Sequence, residues 1–251
     1  MSMFFRTIKY RTLKLAALSC CILSTSCDNE IIPSEPIGAK GALALTLKTG
    51  EVKTETITRA TLDIDVNTFR VSISESNGTP LIQDKPYATL SESDCTLPTA
   101  KGYLLSVENC TETEAITQND GWGMPRFTAT STFDIESGKT TSVDLVCTLE
   151  NTGLQLGFDP TFIDKFPIHA VTVQDSRALV FKSTNQDQIA YFNTTSENLT
   201  INVKLSGTAG GWSDRLDMTK SITLTKGKIN VMKLTYSESS ATARLIDISG
   251  I

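Results

Sequence analysis

Apolar residues recur at every second position through most of this chain, and that period restricts it to strands with one buried face. The sets read Phe69/Val71/Ile73, Tyr103/Leu105/Val107, Phe133/Ile135, Val143/Leu145/Cys147, Leu154/Leu156/Phe158 and Leu199/Ile201/Val203/Leu205. Turn chemistry separates them, in Asn77-Gly-Thr-Pro80, Ser137-Gly-Lys139, Asp159-Pro160, Gly207 to Gly211 and Lys226-Gly-Lys228. No segment sustains the apolar stripe of a helix, so the predicted fold class is all-β and mostly antiparallel.

An internal repeat sets the predicted organisation. Phe133-x-Ile-x-x-Gly-Lys-x-x-x-Val-x-Leu-x-Cys147 lies without a gap over Ile222-x-Leu-x-x-Gly-Lys-x-x-x-Met-x-Leu-x-Tyr236, which reads as the same hairpin twice. The turn glycines Gly138 and Gly227 are 89 positions apart, and Trp122 and Trp212, each preceded by glycine, are 90 apart. Two tandem β-sandwiches of Greek-key, immunoglobulin-like build follow, over residues 40–150 and 151–236. A length of 251 residues accommodates two such cores. Gly41-Ala-Leu-Ala-Leu-Thr-Leu47 is a further strand at the start, and the tail 237–251 is an edge or donor strand.

The first 26 residues read as an export leader. Arg6, Lys9, Arg11 and Lys14 precede the apolar run Leu15–Leu23, with no acid before Asp28. That run is shorter than the about 20 residues needed to span a bilayer. Cys27, preceded by the small residues Thr25 and Ser26, is the predicted lipidation site, and residues 27–39 form a polar tether. Cys20 and Cys21 compete for that role, and an unlipidated periplasmic protein is the alternative. Acyl chains on Cys27 would hold the protein on its membrane, at roughly 0.8 kcal/mol per buried CH₂. Removing the leader takes away four of 23 basic residues and none of 28 acidic ones, leaving a net charge of −9. Nucleic acid is excluded as a partner on that balance.

An exported chain keeps its disulfides, which directs attention to Cys95, Cys110 and Cys147. Cys147 is in phase with buried strand positions and reads as a small hydrophobe. Cys95 and Cys110 are the candidate pair, closing a loop of about 15 residues and contributing roughly 3 kcal/mol if unstrained.

Reaction chemistry is sparse. His169 is the only histidine, with a structural or surface role expected, and no metal-ligand pair, nucleophile elbow or phosphate-cradling loop is present. No catalytic residue, metal or cofactor is assigned. Two carboxylates suffice for glycoside hydrolysis, but none of the acids is singled out. Asp63-Ile-Asp-Val-Asn67 begins like a calcium loop, yet Thr68 stands where the turn glycine belongs and Ser74 where the bidentate glutamate belongs. Its Ile64 and Val66 read instead as a strand with one wet face. Trp122, in Gly121-Trp-Gly123, and Trp212, in Gly211-Trp-Ser213, are candidate stacking residues for glycans; the other reading folds each over a sandwich end.

The ordered motifs Gly41-Ala-Leu-Ala-Leu, Asp65-Val-Asn-Thr-Phe-Arg-Val-Ser-Ile73, Leu97-Pro-x-x-x-Gly-Tyr103, Trp122-Gly-x-Pro125, Val143-x-Leu-Val-Cys-x-Leu-x-Asn151 and Ala190-Tyr-Phe192 are similar to those of a Bacteroidota lipoprotein domain family of unknown function. The likeness covers residues 40 to about 236 and extends to fimbrillin-like surface proteins, built as two transthyretin-like sandwiches behind a lipoprotein signal. The acids after Cys27 resemble the surface-export signal of that phylum, which implies an outer-membrane lipoprotein facing outward. The likeness further implies assembly by strand exchange. An arginine-specific protease would cut between Arg59 and Ala60, the first strand would leave, and a strand of the next subunit, such as the 241–251 tail, would fill its place. The expectation is a non-enzymatic adhesin or fimbrial component whose partners are the membrane, fimbrial subunits and host or bacterial surface ligands. A glycan-binding lipoprotein for carbohydrate capture is the alternative.

Overall fold

The computed structural model of the chain describes residues 38–54, 62, 64–208, 215–240 and 243–250. Cys27, Arg59, Ala60 and Trp212 lie outside the described residues.

The alternating segments are strands. The first part of the chain supplies β1 (Lys40–Thr49), β2 (Lys53–Thr54), β3 (Arg70–Ser74), β4 (Pro80–Pro86), β5 (Thr96–Pro98), β6 (Ala100–Glu108), β7 (Phe127–Ile135) and β8 (Thr140–Leu149). Then come β9 (Thr152–Phe158), β10 (Ile168–Val173), β11 (Val180–Phe181), β12 (Ile189–Phe192), β13 (Asn198–Thr208), β14 (Arg215–Thr225), β15 (Lys228–Ser240) and β16 (Ala243–Gly250). Among the described residues α-helix is confined to α1 (Glu114–Thr117) and α2 (Pro160–Lys165). The second starts where the Asp159 side chain accepts from the Thr161 amide and Pro160 fills the first turn. No helix among the described residues is long and apolar enough to cross a membrane. The chain is all-β.

One hydrogen-bonded path runs β4-β3-β6-β7-β8-β1-β5, but β7 and β8 share only Phe127↔Leu149 and Thr128↔Thr148. The path turns at that corner, and its two leaves close over a common core, as in a sandwich. Phe69, Val71, Ile73, Tyr103, Leu105 and Val107 face Leu43, Leu47, Val143, Leu145 and Cys147 there. A second core is enclosed by β11-β10-β13-β14 and β12-β9-β15-β16. It is filled by residues including Leu154, Leu156, Phe158, Phe162, Val203, Leu205 and Leu224. Leu199 and Ile201, the outer members of their alternating set, are only partly buried against it.

The repeat has a structural counterpart with a correction. Gly138 and Gly227 hold the same left-handed turn conformation, φ 69° and 70°, which glycine adopts without steric cost. The strands they join are arches, not hairpins: β7 joins β8 only at its far end, while β14 and β15 lie in different sheets. Each arch delivers one strand to each leaf, so its two apolar faces look at one another across the core.

Most strand pairings among the described residues are antiparallel, as expected, and three are parallel. β1 runs parallel to β8, and β9 runs parallel to β15, so each core pairs its first strand in parallel with the last strand of its arch. β2 also pairs β15 in parallel, through Lys228↔Lys53 and Ile229↔Thr54. Partners so far apart in sequence have no tight turn to force opposite directions. The tail is an edge strand here, β16 lying antiparallel along β15 from Met232↔Gly250 to Ser240↔Ala243.

Candidate functional site

The first strand is held in the interior of its sheet, between β8 on one side and β5 on the other. Its sequence Lys40-Gly-Ala-Leu-Ala-Leu-Thr-Leu47 points Gly41, Leu43 and Leu47 inward, and both leucines are buried. Each buried leucine contributes about 1.5–3 kcal/mol of apolar transfer. The ends are fixed by main chain, with the Leu43 amide donating to the Cys95 carbonyl and the Gly50 amide to the Cys147 carbonyl, both at 2.8 Å. The Tyr87 hydroxyl donates to the Leu45 carbonyl at 2.9 Å.

The loop that presents Cys95 is itself braced. Asp94 accepts from the Lys85 ammonium at 2.5 Å and from the Ser91 amide at 2.7 Å. These contacts, the lysine first, hold its carboxyl well below the usual carboxylate range.

A second constellation joins the two cores. The loop Gln118–Gly123 turns through Asn119 and Asp120, both at φ 54°, and through Gly121 and Gly123 at φ 84° and 80°. A β-carbon on Gly123 would lie 2.3 Å from the Ala115 carbonyl oxygen, so only glycine fits. This turn carries the Trp122 ring edge-on to Phe181, with centroids 4.9 Å apart, against the second core. The Tyr191 amide donates to the Trp122 carbonyl at 2.8 Å. Arg177 donates to the carbonyls of Gly121 (3.1 Å) and Tyr191 (2.7 Å), stacks over Phe192 at 4.4 Å, and pairs with Asp175 at 2.8 Å. Trp122 is therefore part of a packed joint between the two cores.

Two clefts accompany these elements. One of about 780 Å³ opens where β7 and β8 part, lined by Ser131, Thr132, Asp134, Thr140, Ser142 and Asp144 among others. The Thr141 hydroxyl caps one of its edge carbonyls, that of Asp134, at 2.8 Å. The other, about 430 Å³, lies beside Arg126, Glu150, Asn193 and Ser196. Its cation is committed: Arg126 pairs with Glu108 at 3.0 Å and Glu112 at 3.4 Å. Nearby, Glu114 accepts from the Thr111 amide and from Arg70, which hold its carboxyl at about 2.

Cys95 and Cys110 do not pair. All three described cysteines are free thiols. Cys95 adjoins the start of β1 at the arch-turn end of the core, whereas Cys110 sits at the opposite end, beside Pro125. The nine residues of β6 span the distance between, at about 3.3 Å each. Burial pushes the Cys110 and Cys147 thiols up to about 11.

His169 is structural, its Nδ1 within 2.7 Å of the Phe166 carbonyl and its Nε2 accepting from the Ser183 amide at 3.2 Å. Asp63 lies outside the described residues, and over residues 64–67 the calcium-like run is not a strand. Asp65 caps a short 3₁₀ turn by accepting from the Asn67 amide at 3.0 Å. Among the described residues no three His, Cys, Asp or Glu side chains converge as a metal site.

What the residue pattern misses is the set that makes the joint, Arg177, Phe181 and Tyr191. The Arg177-Ala dipeptide has no signature, although Ala178 at φ 50° marks the bend that aims it.

Solved structures to which the chain is similar include three from Bacteroides. A candidate cell adhesion protein from Bacteroides eggerthii is 11% identical, with 85% of this chain and 96% of that one covered at a TM-score of 0.47. A candidate polysaccharide-binding protein from Bacteroides thetaiotaomicron is 11% identical over 85% and 98% of the two chains, at 0.41. A candidate cell adhesion protein from Bacteroides uniformis is 10% identical over 86% and 99%, at 0.38. No curated protein matches the chain. One family model does, and it takes in β1, both cores and most of β16: matched over residues 39–248, the chain belongs to the family of the domain of unknown function DUF4493.

Proposed function

We propose that this protein is a non-enzymatic surface lipoprotein of the adhesin type, two tandem β-sandwich domains delivered to the outer membrane on an acylated Cys27 that is lost when the chain is cut for assembly. The exchangeable element in this reading is β1. Cleavage between Arg59 and Ala60 would release the strand, and the vacated place between β8 and β5 would accept a strand from another subunit.

One observation carries the proposal: an interior strand of the first core comes from the chain's own start, joined to the rest by the segment that contains Arg59. Removing it would bare Val143 and Leu145 along with the main-chain groups of β8 that now pair with it. Such a groove is satisfied by another extended strand, through main-chain hydrogen bonds and alternate side-chain pockets. The glycan alternative has no comparable support, since Trp122 is engaged with Phe181.

The test is the mature N-terminus of the protein taken from its native cell envelope, read by mass spectrometry. A chain starting at Ala60 is the expected result for strand exchange. An acylated Cys27 as the only N-terminus would retain the anchor and refute the exchange. Replacing Cys27 with Ala should move the protein to the soluble fraction, and its retention in the membrane would refute the anchor.

A further inference from the structure

We infer that the segment from Tyr87 to Cys95 is a strap that closes the outer edge of β1, with the Tyr87 hydroxyl as its clasp, and that its opening precedes any release of the strand. The strap stands on its own geometry; its use in assembly rests on the strand-exchange reading above.

β4 and β5 are the outermost strands of the first path, and the strap runs from one to the other. It therefore closes the side of the sandwich opposite the corner where β7 meets β8. β5 covers β1 only from Lys40↔Pro98 to Ala42↔Thr96, whereas β8 pairs with it as far as Thr49↔Cys147. Beyond Ala42 the strap takes over the edge that β5 leaves.

Its contacts there are with main-chain groups of β1. The Leu43 amide donates to the Cys95 carbonyl at 2.8 Å, and the Leu45 carbonyl accepts from the Tyr87 hydroxyl at 2.9 Å. Alternate residues of a strand turn their main-chain groups to the same neighbour, so Leu43 and Leu45 offer the groups that a further strand would take. The strap stands in for that strand with one carbonyl and one hydroxyl. Burial raises the Tyr87 phenol above its ordinary pKa, and hydrogen bonding from the Leu47 main chain, next along the same edge, offsets part of that shift.

Polar contacts rather than a core hold the strap shut. None of its residues is buried, and Tyr87, Leu90 and Cys95 pack against the first core only in part. At one end the Tyr87 amide donates to the Phe69 carbonyl at 2.7 Å. At the other, Asp94 pairs with Lys85 of β4 at 2.5 Å and accepts from the Ser91 amide at 2.7 Å. A segment with so little buried apolar surface opens at lower free energy than the core beneath it. With the strap open, β1 becomes an edge strand from Leu43 to Thr49 and can unzip from β8 at that end.

Hydrogen exchange of the uncut chain, followed by mass spectrometry, tests the strap directly. Tyr87→Phe keeps the ring and removes the clasp, and should speed exchange over residues 40–49 about fivefold. Asp94→Asn, which loses the pair with Lys85, should act in the same direction, and both should leave β6 at its wild-type rate. Unchanged exchange over β1 in both variants, or an equal acceleration in β6, would overturn the strap. In the chain cut after Arg59 with an arginine-specific protease, the fragment carrying β1 should leave about fivefold sooner in Tyr87→Phe than in wild type, read by size-exclusion chromatography. Equal rates of departure would also overturn the strap. A fragment that stays bound in every chain, with exchange over β1 still quickened by Tyr87→Phe, would sink strand exchange and leave the strap standing.

Discussion

Trp122, carried on a loop of the first core, meets Phe181 of the second edge to face, with ring centroids 4.9 Å apart and planes at 84°. That geometry is the favourable one for two aromatic quadrupoles, and it turns an indole that the sequence leaves in a loop into a contact between cores. Replacing Trp122 with Ala should cost about 2 kcal/mol, less than a fully buried tryptophan because the ring is half-buried. Urea unfolding followed by far-ultraviolet circular dichroism would read it. An unchanged midpoint would show that the joint contributes nothing.

Arg177 reaches two carbonyls of different segments, those of Gly121 and Tyr191, while its plane covers Phe192. Lysine has neither the fork nor the flat face for this. We expect Arg177→Lys to lose about 1–2 kcal/mol despite keeping the charge. Wild-type stability in that variant would mean the charge alone suffices.

The thiols should react in an order set by burial. Cys95 is half-buried and should be alkylated in the folded protein, whereas Cys110 and Cys147, buried and raised to about 11, should resist until the chain unfolds. Mass spectrometry of the alkylated protein would count them. A bond between Cys95 and Cys110 in the native protein would contradict the separation described above.

Acid should weaken the α2 end of the second core. Lys233, first, and then Thr161 hold the Asp159 carboxyl at about 2, below its ordinary 3.8. A carboxyl depressed by folding adds stability that is present above about pH 4 and is lost as pH falls through 2. Asp159→Asn should therefore flatten the fall in melting temperature between pH 5 and pH 2, with little effect on its slope above pH 5. An acid limb unchanged in that variant would assign it to other groups, among them Glu114, also held at about 2.

Much of the fold is legible from residue order alone. The sets Phe69/Val71/Ile73, Tyr103/Leu105/Val107 and Val143/Leu145/Cys147 lie on strands and face the first core, because alternation is a local property of an extended backbone. The turn glycines at 138 and 227 are legible for the same reason, since a left-handed φ is demanded by the turn itself. The run Asp65 to Asn67 is misread as strand because one short side-chain bond, from the Asn67 amide to Asp65, competes with the ladder.

Which strand lies beside which, and in what direction, belongs to the tertiary structure. Nothing local distinguishes a β1 antiparallel to β8 from the parallel one observed, and nothing near Cys95 and Cys110 shows that β6 carries them to opposite ends of a core. The same holds for Trp122, whose partner Phe181 lies far along the chain. Sequence determined where this chain extends, where it turns and which faces are apolar, since those depend on each residue and its near neighbours. The pairing of distant edges and the closing of two cores were decided by tertiary structure, because each is a contact between segments whose proximity exists only once the whole chain has packed.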